Sequence, residues 1–153
     1  MDELVRWLGE QLNEDERTAR AATLGPWVQS GIGEYGWTVD FGRPGAGVET
    51  EDSEQGLADA DFIAAHNPAR VLREIDVDRE LLAEYERLLT AHDAHQREAA
   101  RLAEQGDDDP TRHAALRREA DYLPAMLHVL DRWAKRKAVV YADRPGYREE
   151  WRP

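Results

Sequence analysis

Apolar residues set the first element. Leu4, Leu8, Leu12, Ala19 and Ala22 fall on one side of a wheel turning about 100° per residue, and Asp2 and Glu3 suit a helix start. Residues 1–22 therefore read as a helix, weakened by about 1 kcal/mol at Gly9 relative to alanine and stopped by Gly25-Pro26. The period then changes. Trp37, Val39 and Phe41 alternate with Thr38 and Asp40, the pattern of a half-buried strand. Gly42-Arg43-Pro44-Gly45 supplies a turn, residues 46–50 return, and Trp27-Val28 begin a third strand, so 26–50 form a small antiparallel β element. A hairpin alone is marginal in water and needs helices to pack on. Trp27 and Trp37 are its core contacts in the simplest reading, and stacking surfaces for a ligand in the alternative.

Helical periods resume after an acidic loop at 51–56. Residues 57–66 read as a short helix presenting Leu57, Phe62 and Ile63. Asn67-Pro68 is a helix start, with Asn as cap and Pro at the first helical position, and opens a long helix over 68–105. "GDDDP" breaks it, and Asp109-Pro110 repeats the start signal for a helix over 110–141 that Pro124 kinks or splits. So short a break makes the two long helices antiparallel neighbours. The expected fold is α+β and mostly helical, a single domain over 1–153. An N-terminal helix, small sheet and short helix precede an antiparallel helical hairpin and an irregular tail, 142–153.

Composition narrows the function classes. Charged residues reach 34% but apolar ones 41%, enough to build a core in 153 residues. With no cysteine, a disulfide framework, a thiolate zinc site and a cysteine nucleophile are all excluded. Net charge is −12, which opposes nucleic-acid and anionic-membrane binding. No apolar run approaches the roughly 18 residues of a membrane span. The N-terminus is acidic, unlike a signal peptide, so a cytoplasmic protein is expected. The charge is uneven: residues 1–110 carry 26 acids and 10 bases, residues 111–153 carry 6 and 10. Arg132, Lys135, Arg136 and Lys137 complement the negative end of the last helix; an anion-binding patch, for instance for DNA, is the alternative. The acids between Glu49 and Asp61 lack the spacing, central Gly and final Glu of a calcium-binding EF-hand loop, and read as solvated surface.

The most suggestive local chemistry is "AHDAH", residues 91–95. With Tyr85 at zero on the long helix, His92 falls near −20°, mid-stripe, His95 near −80°, at the stripe edge, and Asp93 near +80°. Asp93 is no natural co-ligand. On the facing helix Glu119 and Tyr122 come level with His95, whereas His128 points off the seam. The candidate polar site is His92, His95, Glu119 and Tyr122: a partly buried pair bonded to Glu119 or Tyr122, an exposed pair, or half of a metal site. Neither Glu-x-x-His nor His-Glu-x-x-His occurs, so no metal and no cofactor is assigned. Gly-x-Ser-x-Gly and Walker loops are absent, and Gly31-Ile32-Gly33 lacks the helix that a dinucleotide fingerprint needs. In the tail, Tyr147 and Trp151 pin the chain to its body, or Tyr147, Arg148 and Trp151 form a partner-docking peptide.

Three segments carry a resemblance. "ARAATLGPW" (19–27), "ADADFIAAHNPARVLREID" (58–76) and "YADRPGYREEWRP" (141–153) resemble a family of uncharacterised small proteins common in Streptomyces and related actinobacteria. The first two are also similar to a motif pair of tailed-phage accessory proteins, with Leu24 standing where that motif has a first proline. The resemblance implies an accessory protein and transfers no catalytic residue. The expected function is a non-enzymatic interaction or self-associating module, its partner a protein or a second copy. The alternative is a small-molecule or metal-binding protein, or an enzyme, at the hairpin seam near His92 and His95.

Overall fold

The computed structural model describes residues 2–106 and 109–153; the Asp107–Asp108 part of the expected helix break lies outside them. Helix α1 spans Glu3–Ala21, strands β1, β2 and β3 span Val28–Ile32, Trp37–Asp40 and Gly47–Glu49, and helices α2, α3 and α4 span Glu54–Ala65, Pro68–Gln105 and Pro110–Val139. A 3-10 turn at Glu149–Trp151 ends the tail. The chain divides into two compact units, residues 1–11 with 79–153, and residues 12–78.

Caps fix most of these boundaries. Asp2 accepts from the Leu4 amide at 2.8 Å, Asn67 from the Arg70 amide at 3.0 Å, and Asp109 from the Thr111 amide at 2.9 Å. Each satisfies an orphan donor of a first helical turn. Helix α2 begins at Glu54, three residues before the expected 57, because Ser53 accepts from the Gly56 amide at 2.9 Å and starts the helix inside the supposed acidic loop. Helix α4 runs unbroken through Pro124, whose ring is exposed.

In the unit 12–78, the sheet is antiparallel in the order β1-β2-β3, with Gln29 opposite Val39 and Val39 opposite Val48. Val39, on the central strand, is fully buried. The two tryptophans serve the packing: Trp27 stacks on Phe41 at 4.0 Å, and the Trp37 indole donates to the Ser53 carbonyl at 3.1 Å. Helix α2 packs on β1 and β2, and its buried residues are Gly56 and Ala60. Phe62, expected on the packing face, is 63% exposed and stacks on His66 instead. Gly56 is a glycine for a local reason: the chain enters α2 through a tight turn, and a Cβ there would collide with the Glu51 backbone.

In the unit 1–11 with 79–153, α3 and α4 form the expected hairpin. Leu82, Tyr85, Leu88, His95 and Leu102 are buried on α3, and Leu123, Leu130, Ala134 and Ala138 on α4. Trp7 of α1 lies at the centre of an aromatic cluster, with ring centroids 6.3 Å from Tyr141, 6.0 Å from Tyr147 and 5.0 Å from Trp151. Its indole donates to the Pro145 carbonyl at 3.1 Å. Gly146 is in the left-handed region (φ 84°), and a Cβ there would stand 2.9 Å from the Trp7 indole nitrogen.

Candidate functional site

The seam of the hairpin brings together two of the four polar residues singled out in the sequence. His95 is 9% exposed, and its Nδ1 donates to the Glu119 carboxylate of α4 at 3.1 Å. Tyr122 does not join them; it is 50% exposed. His92 is half-buried, and its Nδ1 is a buried atom with no hydrogen-bond partner among the described residues. His95, expected at the stripe edge, is the more buried of the two histidines, and His92, expected mid-stripe, is half-buried. Leu88, His95 and Leu102 are buried at seven-residue intervals, the repeat of a two-helix seam, whereas a 3.6-residue helix drifts about 20° per heptad. The row of Leu88, His95 and Leu102 is thus the more deeply covered one, and His92, seven residues after the buried Tyr85, continues the adjoining row with its inner nitrogen covered.

An ion pair of this kind stabilises little: Glu119 is partly solvated, and the imidazole loses hydration. We expect Glu119→Ala to lower unfolding free energy by about 1–3 kcal/mol, because it orphans a buried N–H. His95→Leu is expected to be neutral or mildly stabilising, since the remaining carboxylate has access to water. Urea titration of both variants checks this. A large loss in His95→Leu would give the ring a role beyond packing.

A second polar link was not anticipated. The buried Tyr85 hydroxyl of α3 donates to Asp131 of α4 at 3.2 Å, and Lys135 pairs with the other oxygen of that carboxylate at 2.9 Å. Asp2, Glu3, Leu4 and Glu150 line the same polar cleft, a volume of about 370 Å³. Burial, followed by the nearby charges of Asp131 and Asp2, holds the Tyr85 hydroxyl well above the ordinary tyrosine range. The folded-state value is raised, so the stability tied to the neutral phenol is complete below about pH 10 and is lost as pH climbs towards the folded value. Alkaline titration of phenolate absorbance should show one tyrosine ionising late. Tyr85→Phe should remove its share of the fall in stability above about pH 10.

The tail residues divide. Trp151 is buried against Trp7, and Tyr147 lies edge-on to it at 6.1 Å, with its hydroxyl buried and unpartnered among the described residues. Arg148 remains exposed, paired with Glu3 and Glu150 and placed over the Trp151 ring at 5.7 Å. Both aromatic side chains of the supposed docking peptide are therefore spent on the chain's own packing.

Helix α4 carries a further feature that the sequence reading passed over. Tyr122, Met126 and Val129 follow one another on a second face of α4, with Val129 62% exposed; the half-buried Trp133 continues the row, and Val140, 65% exposed, follows at the helix cap. With Arg136 their spacings are 4, 3, 4, 3 and 4, an a/d seam of a coiled coil. Arg118, Arg132 and Arg136 lie in or beside it, and among the described residues none has an ion-pair partner. The stretch "YLPAMLHVLDRWAKRKAVV" interleaves two heptad rows, and the buried one masks the other in a hydrophobicity pattern.

Among the described residues, no three histidine, aspartate or glutamate side chains converge as a metal-ligating group, and no helix is long and apolar enough to cross a membrane. The fold is that of a helical-hairpin protein with a small antiparallel sheet. The chain belongs to a family of unknown function, DUF6221, whose model matches residues 1–153. No curated protein and no solved structure matches it.

Proposed function

We propose that this protein is an interaction module whose contact surface is the outer seam of α4, seated against a facing helix. The observation that carries this reading is the heptad spacing of an exposed apolar row. Scattered surface valines need no explanation, but Tyr122, Met126 and Val129, exposed in a/d register and continued by the half-buried Trp133 and by Val140 at the helix cap, do. The setting proposed with it is that of a cytoplasmic accessory protein in actinobacteria, as the motif resemblance implies.

A photo-crosslinking residue placed at Val129 should give one discrete adduct when the protein is irradiated in a lysate of its source cells. The same residue at Val77, 57% exposed on α3, should give none. Equal yields from both positions, or a smear from Val129, would remove the reading.

A further inference from the structure

We infer that the helix seated on the α4 seam is α4 of a second copy, running antiparallel. This rests on the reading of that seam as the contact surface. The seam is self-complementary about a two-fold axis midway between Val129 and Trp133, as a closed symmetric dimer requires. In antiparallel register Trp133 meets the second copy's Val129, Tyr122 meets its Val140, and Met126 meets its Arg136. Each aromatic ring then faces a small side chain. The Arg136 stem lies along methionine while its guanidinium reaches water. Parallel pairing sets like position against like, which confronts Arg136 with Arg136 inside the seam, so the charge selects the antiparallel arrangement.

Charge also shapes the edge. Along one margin Ala125 faces the second copy's Val139, which is 43% exposed in the single chain. Arg132 faces its own counterpart across the axis. Arg132 is exposed, so that repulsion is weak beside the apolar layers and is screened by salt. Self-association should therefore strengthen as ionic strength rises, the reverse of a charge-driven complex. A foreign helix with acidic edges would satisfy the unpaired arginines and would show the opposite salt dependence.

Sedimentation velocity of the whole chain over a concentration series, at low and high salt, tests the inference. We expect a dimer whose fraction grows with protein and with salt, no dimer for Val129→Asp, and a tighter one for Arg132→Ala. The chain has no cysteine, so single substitutions report orientation. Arg132→Cys should be joined to its counterpart by a short bismaleimide. Tyr122→Cys should not, because antiparallel packing sets the two Tyr122 positions about 27 Å apart. Circular dichroism of each variant verifies folding. A monomer under every condition, or efficient joining through Tyr122→Cys, overturns the self-pairing. If the wild type stays monomeric while the Val129 crosslinker still gives one adduct to another protein, the seam is the interface and its occupant is foreign. If the adduct is also absent, both readings fall.

Discussion

Replacing Trp7 by alanine is expected to lower the unfolding free energy by about 3–5 kcal/mol, the usual cost of deleting a large buried aromatic side chain. The site explains why the upper half of that range applies. Trp7 is 6% exposed and touches three other aromatic rings, so no small shift of one neighbour refills the space. The substitution also leaves the Pro145 carbonyl without its indole donor. Trp7→Phe keeps much of the apolar area and loses that hydrogen bond, and it should fall between wild type and Trp7→Ala. Urea unfolding followed by circular dichroism measures both. Protease cleavage between residues 142 and 153, absent from the wild type and prominent in Trp7→Ala, would show that the loss is felt in the tail. A stability change below about 1 kcal/mol in Trp7→Ala would contradict the packing described.

The second large effect is expected at Gly36. This buried glycine precedes β2, and the Cβ of an alanine there would overlap the Thr50 carbonyl oxygen and stand 2.8 Å from the Glu51 carbonyl carbon. Both obstacles are backbone and cannot rotate away. Thr50 is itself anchored, its amide donating to the Trp37 carbonyl at 2.8 Å and its hydroxyl to the Gly56 carbonyl at 2.6 Å. Moving it would disturb β2 and the start of α2 together. Gly36→Ala should therefore cost at least the upper part of the roughly 1–3 kcal/mol typical of overpacking. Gly45→Ala is the comparison: no atom lies near its added Cβ, and its φ of 74° leaves only the strain of a left-handed residue. Thermal melts of the two variants should rank Gly36→Ala clearly lower.

Local chemistry made the element boundaries legible. Asn67-Pro68 and Asp109-Pro110 announce α3 and α4 because each pair supplies an acceptor for orphan amides and a residue that has no amide to orphan. The alternation around Val39 marks the central strand for a similar reason, since side-chain direction in a strand depends on parity alone. What stayed hidden depends on phase over many turns or on distant neighbours. His95 is covered more deeply than His92 because it continues the row of Leu88 and Leu102, and how deeply each row is covered depends on the facing helix, which the period of α3 alone does not give. Phe62 is exposed while the buried residues of α2 are Gly56 and Ala60, small side chains to which a hydrophobicity pattern gives little weight. Trp7 is buried beside the leucines of α1, but only the distant Tyr141, Tyr147 and Trp151 give it something to be buried against. Of the candidate polar residues, the His95–Glu119 contact followed from levels along the hairpin, whereas the Tyr85–Asp131–Lys135 chain carried no motif to mark it.

The hydrogen bond from Trp7 to Pro145 joins positions 138 residues apart in the chain. Closing a loop of that length costs entropy before any contact repays it, while the turns of α3 and α4 form from neighbours a few residues away. The aromatic clasp should therefore be among the last contacts made and among the first released. Its strength sets how long a folded molecule lasts more than how quickly one forms. Substitutions around Trp7 and Trp151 are therefore expected to change mainly the unfolding rate, and those in the hairpin mainly the folding rate, in stopped-flow measurements.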